Sequence, residues 1–191
     1  MKYLKYILIT LLVLFFLFIT LGFITPSITY SSEISVDKPL KEAWAVMNDP
    51  DKTSEWLKDI KKKEIIGGKE GTVGAMTKYT FGDANGNESQ IVETIKEIDP
   101  FNYVVMDFVM EGAMTMHYKV NFEEKDGETV IKSATTTEGD GMFMRSLMSF
   151  MKKPMTEQED QNLANLKKVI ERNTKNYFLM PVMEEKEEPM H

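Results

Sequence analysis

The segment AMTMHYKVNF, residues 113–122, alternates without a break. Met114, Met116, Tyr118, Val120 and Phe122 fall on one side of an extended chain, and Thr115, His117, Lys119 and Asn121 fall on the other. A segment of this pattern settles as a strand with one face on a core and one face in water. Its predecessor NYVVMDFVM matches it, with Val104, Met106, Phe108 and Met110 on the apolar side. The segments KKKEIIGG, TVGAMTKYTF, ESQIVETIKEI and ETVIKSATTT read as further strands, and SSEISV, with Ile34 and Val36 at period two, stands ahead of them. Asn85-Gly86 and Asp126-Gly127 mark tight turns between neighbours. This spacing predicts an antiparallel meander.

Helical signals frame the strands. In DKPLKEAWAVM, Asp37 is placed to cap a helix with Pro39 in its first turn, and Leu40, Ala43, Trp44 and Met47 share a face. NDPD, residues 48–51, stops that helix. Asp51 or Thr53 starts a second turn expected to carry Trp56, Leu57 and Ile60. The longest element comes last. Met144, Leu147, Met148, Met151 and Met155 recur at helical spacing, and Leu163, Leu166 and Ile170 form a second stripe. Pro154 between them predicts a kink.

The N-terminus carries Lys2 and Lys5 and then no charge from Tyr6 to Pro26. About twenty residues at 1.5 Å each span roughly 30 Å, the thickness of a bilayer's hydrocarbon core. A cleaved signal has an apolar stretch of about 7–15 residues and a small-residue cleavage site; here the stretch is longer and no such site follows. The expectation is an uncleaved single-pass cell-membrane anchor, with the lysines cytoplasmic and the remaining chain extracytoplasmic. The chain divides accordingly into an anchor over 1–30, one folded domain over 31–176 and an acidic tail of disordered composition over 177–191.

Several function classes drop out. The formal charge is −7 and Arg145 and Arg172 are the only arginines, which argues against a nucleic-acid partner. Without cysteine there is no disulfide, thiolate nucleophile or thiolate zinc site. His117 falls on the wet side of its strand, so no Ser-His-Asp set forms around it inside a core. EGDG, residues 138–141, lacks the alternating ligands of a calcium loop, and the glycines of residues 67–74 sit between two strands rather than before a helix. No metal and no cofactor are implied. Lys61, Lys62 and Lys63 are diluted by Asp59 and Glu64 and read as a solvated strand start.

The order strand, broken helix pair, meander, long helix resembles the SRPBCC superfamily of START domains, birch-allergen-like proteins and polyketide cyclase/dehydrases. The resemblance rests on DKPLKEAWAVMNDPDKTSEWL after the first strand and on the methionine-rich last helix ending in NLANLKKVIE, and it covers about residues 33–172. It implies an α+β helix-grip fold, in which a curved antiparallel sheet of about seven strands wraps the C-terminal helix and two short helices close one end. It also implies a cavity between sheet and helix.

The residues expected to line that cavity are Tyr79, Met106, Phe108, Met114, Met116, Tyr118, Met144, Met148 and Met151. Fifteen methionines in 191 residues suit either an irregular packed core or an adaptable lining for apolar ligands. The expected partners are a hydrophobic small molecule or lipid in the cavity and the membrane through the N-terminal helix. Burying about 300 Å² of such a ligand would gain roughly 7 kcal/mol before the losses of freedom on binding. Two alternatives stand beside this. One is a cyclase/dehydrase-type enzyme, for which Asp107, Glu111, Glu138 and Asp140 are the available acids. The other is a structural domain whose core Met106, Met116 and Met148 fill.

Overall fold

The computed structural model describes residues 2–83 and 85–178; the rest of the expected acidic tail, from residue 179 onward, lies outside the described residues. The chain runs α1 (Lys2–Ile24), β1 (Ser27–Val36), α2 (Leu40–Met47), α3 (Thr53–Trp56), β2 (Ile60–Gly67), β3 (Met76–Gly82), β4 (Glu88–Asp99), β5 (Tyr103–Met110), β6 (Met114–Lys125), β7 (Glu128–Gly139) and α4 (Gly141–Glu171). The seven strands form one antiparallel sheet in the order β1-β7-β6-β5-β4-β3-β2. The expected meander is therefore present from β2 to β7, and β1 joins its far edge beside β7. This is the helix-grip α+β fold.

Register makes the sheet's inner face explicit. Glu93 pairs with Phe108, Phe108 with Met116, Met116 with Thr137 and Thr137 with Ile28, so these side chains form one row across five strands. The next row runs Ile95, Met106, Tyr118, Thr135 and Tyr30. Alternation sends their neighbours outward, and there the Asp107 carboxylate meets His117 Nδ1 at 2.8 Å. Both turns read from the sequence use left-handed backbone: Gly86 has φ 83°, and Asp126 and Gly127 have φ 54° and 86°. Edge strand β2 keeps its lysines in ion pairs, Lys62 with Glu64 and Lys63 with Glu70, and its pairing with β3 shifts register twice. Charges and bulges of this kind discourage edge-to-edge pairing.

The core sits at one end of the grip. Leu163, Leu166, Val169 and Ile170 of α4 are buried with Val36, Ala43, Val46, Val104, Val120, Phe122 and Ile131. Trp44 packs its ring edge on Phe122, with centroids 5.1 Å apart. The NDPD break has a structural task here. Asp49 is buried, accepts a hydrogen bond from Asp51 N, and holds Lys175 Nζ at 2.7 Å and Tyr177 OH at 2.8 Å. The break between α2 and α3 thus fastens the chain that leaves α4.

Three local expectations are corrected. Asp37 does not cap α2: the cap position belongs to Pro39, whose extended ψ of 143° precedes the first helical turn, and no side chain bonds into that turn. α3 is a single turn, and Ile60 starts β2 instead of extending the helix. β1 is longer than SSEISV and begins at Ser27, paired with Glu138. Pro154 lies inside α4, which continues on both sides of it from Gly141 to Glu171.

α1 is the one helix among the described residues long and apolar enough to cross a membrane, over Tyr3–Ile24. Its first sixteen residues touch little, whereas its last two turns pack on the start of α4. Gly22 is buried there, and a Cβ at this position would come within 2.7 Å of Met142 O and Ser146 Oγ. Only glycine allows so close a crossing. Ser146 Oγ donates to Met142 O and reaches Ile19 O at 3.3 Å.

Candidate functional site

α4 packs on different strands along its length. Its first half rests on β1, where Met148 is buried against Ile28 and Tyr30, and its last turns pack over Val104 of β5 and Val120 and Phe122 of β6. Near the β5–β6 turn, Met106, Phe108, Met110, Met114 and Met116 are only half-buried, although they belong to the apolar stripe. The result is a half-buried apolar surface on the inner face of β5 and β6, referred to below as the trough. The two best-defined pockets of the described residues, of about 280 and 300 Å³, lie at the opposite end, around Lys38, Glu42 and residues 173–178 and around Asp37, Glu124 and Thr129. Both are polar, and none of the residues expected to line the cavity borders either of them.

The residues expected to line the site divide into three groups. Phe108, Met114 and Met116 face the trough, and Tyr118 packs its ring edge on Phe108 with centroids 6.0 Å apart. Met106 shares that face and packs against the main core. Met148 is fully buried against Ile28 and Tyr30, with Met151 and Met155 packed on the same cluster, so these methionines seat α4 on β1. Met144, one turn before Met148, is half-buried at the start of the helix. Tyr79 is buried on the inner side of β3, paired with Ile91, next to Phe81 and near Glu93.

The acids are elsewhere than the sequence suggested. Asp107 is on the outer face with His117, and Glu111, Glu138 and Asp140 are all exposed. Two other carboxyls face inward. Glu159 projects from α4 and accepts a hydrogen bond of 3.1 Å from the Tyr118 hydroxyl. Burial pushes its pKa above the usual carboxylate range, and the Ser133 and Tyr118 hydroxyls beside it only partly offset that. One residue on, Asp160 takes the Ser32 hydroxyl at 2.5 Å. Glu93, between Thr77 and Phe108 on the inner row, has its pKa raised to about 7 by burial, with Lys63 opposing and Glu70 adding to the rise. Burial also raises the hydroxyls of Tyr30, Tyr79 and Tyr118, so all three stay protonated hydrogen-bond donors.

Signals for both carboxyls stood in the sequence. Glu93 interrupts Ile91 and Ile95 at period two, in the apolar register of its strand. Glu159 lies four residues from both Met155 and Leu163, on the helix's inner stripe. A charge in an apolar register is the feature to look for.

Around these carboxyls the interior is unusually polar. Ser133 and Thr137 of β7 and Ser149 of α4 bury hydroxyls that make no hydrogen bond within the described residues; Ser133 stands beside Glu159 without bonding geometry. Thr135 and Ser32 complete a hydroxyl band facing the middle of α4, where Ser32 meets Asp160. Buried groups of this kind find partners in water or in a ligand's polar atoms. No three His, Asp or Glu side chains converge as metal ligands among the described residues.

The family described as "Polyketide cyclase / dehydrase and lipid transport" matches residues 27–171, which include the whole sheet and α4. The chain belongs to this family, within the SRPBCC superfamily. No curated protein sequence matches it. Among solved structures the SRPBCC fold recurs in Ara h 8.0201, 18% identical with a TM-score of 0.64 over 77% of this chain and 99% of that one. It recurs in the ginseng major latex-like protein 151 from Panax ginseng, 15% identical with a TM-score of 0.58 over 76% and 96%. The di-domain ARO/CYC StfQ of the steffimycin biosynthetic pathway is 11% identical with a TM-score of 0.63, over 77% of this chain and 51% of that one. Identities this low speak for a shared architecture, and an SRPBCC architecture carries different activities.

Proposed function

We propose that the protein is a membrane-tethered binding module for a hydrophobic small molecule or lipid that lies in the trough between sheet and α4. The observation that carries this reading is the pairing of a half-buried apolar surface, Met106, Phe108, Met110, Met114 and Met116, with the protonatable Glu159 and the Tyr118 hydroxyl at its inner edge. Apolar atoms of a ligand would complete the burial of the methionines and Phe108. A single polar head, a hydroxyl or a carboxylic acid, would bond to the Glu159–Tyr118 pair or to the unpartnered hydroxyls of Ser133 and Thr137. Flexible methionines adapt to ligands of differing shape, which suits a carrier more than a highly selective receptor. In this reading residues 1–30 tether residues 31–176 to the outer face of the membrane.

Titration of the full-length protein in detergent with a fluorescent fatty acid tests the proposal. Met116→Trp places bulk on the trough floor at a half-buried site and is expected to abolish uptake while the domain still folds. Loss of folding in that variant, or unchanged uptake, overturns the binding site.

A second reading draws on one specific observation, the two inward carboxyls. An enzyme of cyclase/dehydrase type needs an acid or base poised near neutrality inside its site, and Glu93 has such a pKa. On that reading Glu93 removes a proton from a bound substrate and Tyr79 or Tyr118 steadies the developing oxyanion. Polyketone turnover lost on Glu93→Gln while ligand uptake is retained would favour the enzyme; retained turnover excludes Glu93 as the base.

A further inference from the structure

We infer that the first three turns of α4, from Met142 to Phe150, lie in the outer leaflet of the bilayer at the foot of α1, so that the trough opens directly onto lipid. This rests on the reading of α1 as a membrane span. Four observations place the helix there.

The first is the crossing of the two helices. Phe18 of α1 stacks on Phe150, with ring centroids 6.5 Å apart and planes 13° from parallel, and meets Phe143 at 5.5 Å. Gly22 closes on Met142 and Ser146. Small residues at a crossing are the usual means by which helices approach closely in membranes.

The second is depth. Phe18 lies six residues before Ile24, the end of α1, so at 1.5 Å per residue the contact sits within about 9 Å of the span's outer end. Interfacial helices bury their apolar faces to a depth of about 5–10 Å.

The third is an apolar surface left exposed among the described residues. Phe143 and Phe150 are seven residues apart, on one face of α4, and are 58% and 61% exposed. They continue the exposed apolar surface of α1, including Phe23 and Ile24. A bilayer that surrounds α1 at this level meets both phenylalanines without any further movement.

The fourth is the direction of the trough. Met110 pairs with Met114, Met114 with Gly139, and the next pair outward is Ser27 with Glu138, so the methionine end of the trough and the foot of α1 are the same end of the sheet. The packed core and α2 occupy the opposite end. An apolar ligand leaving the bilayer would enter between α4 and the β5–β6 turn without crossing water.

The absence of cysteine makes a clean test possible. The full chain is reconstituted in phosphatidylcholine vesicles with one nitroxide label at a time on Phe143→Cys, Phe150→Cys, Phe15→Cys and Lys125→Cys. Collision rates with oxygen, which concentrates in lipid, and with a water-soluble nickel chelate are then compared. The expected result is oxygen preference at 143 and 150, stronger preference at 15 and nickel preference at 125. Nickel preference at 143 and 150 together with oxygen preference at 15 overturns this inference and leaves the anchor standing. Nickel preference at 15 as well removes the anchor and the inference with it.

Discussion

The two ends of the grip are built to different rules. At the α2 end, Leu163, Leu166, Val169 and Ile170 meet Val36, Val46, Val104 and Ile131 with almost no exposed surface. At the α1 end, the same helix and sheet leave Phe108, Met114 and Met116 half-buried, place Glu93 and Glu159 inside, and bury hydroxyls without partners. Branched aliphatic residues dominate the first end and methionine and polar residues the second. A rigid interlock at one end frees the other from the demands of close packing. The lesson is that the tightly packed core and the half-buried, polar-edged surface occupy separate stretches of the same elements.

Mutations should separate the ends sharply. Leu166→Ala is expected to cost about 3 kcal/mol of unfolding free energy in urea, because a fully enclosed leucine leaves a cavity. Met116→Ala, whose side chain already meets solvent, is expected to cost less than about 1 kcal/mol. Equal losses would dissolve the distinction.

Acidity sharpens it further. Glu93 has a pKa raised from 4.5 to about 7 by burial, so the folded state holds its proton more tightly than the unfolded chain. Its contribution to stability is full below about pH 4.5 and is lost as pH rises through about 7, by on the order of 3 kcal/mol. Urea midpoints measured from pH 4 to pH 8 should show this decline in the parent protein, and Glu93→Gln should remove it. At pH 8 that variant should be the more stable one.

Asp49, at the packed end, behaves in the opposite sense. Burial works against its charge, but Lys175, Tyr177 and the Asp51 N–H outweigh that and hold its pKa below the ordinary value of 3.8. Its contribution is present above pH 4 and is lost as pH falls through the lowered pKa. Asp49→Ala is expected to cost about 1–2 kcal/mol at pH 7 and to release the chain after α4, detectable as faster amide exchange in residues 173–177. The smallest effect belongs to the outer face, where His117→Ala removes an exposed contact with Asp107 and should change stability by less than about 0.5 kcal/mol.

Much of the architecture was legible in the chain. Period-two alternation fixed which side of β5 and β6 faces inward, and the turn residues fixed the strand boundaries around residues 85–86 and 126–127. The last helix announced itself by its methionine and leucine stripes. The acids were misplaced because polar segments such as TEQEDQN read as solvent, whereas Glu159 is held inside by Tyr118 from a strand 41 residues away. Glu93 was available to period-two reasoning and needed the neighbouring strands to show how deep it sits. How far Met114 and Met116 are covered depends on where α4 rests across the sheet, and no local pattern encodes that. The contact of Gly22 with Ser146 joins segments more than a hundred residues apart, so it too required the folded chain.

The most direct test of a ligand-holding trough is native mass spectrometry of the full-length protein released from detergent micelles, with solvent extraction of the same preparation. The account expects a bound apolar species of a few hundred daltons, lost in Met116→Trp and retained in Leu166→Ala under folding conditions. A bare protein mass, unchanged after incubation with a total lipid extract, would contradict it and leave the methionines as a core and the domain as a scaffold.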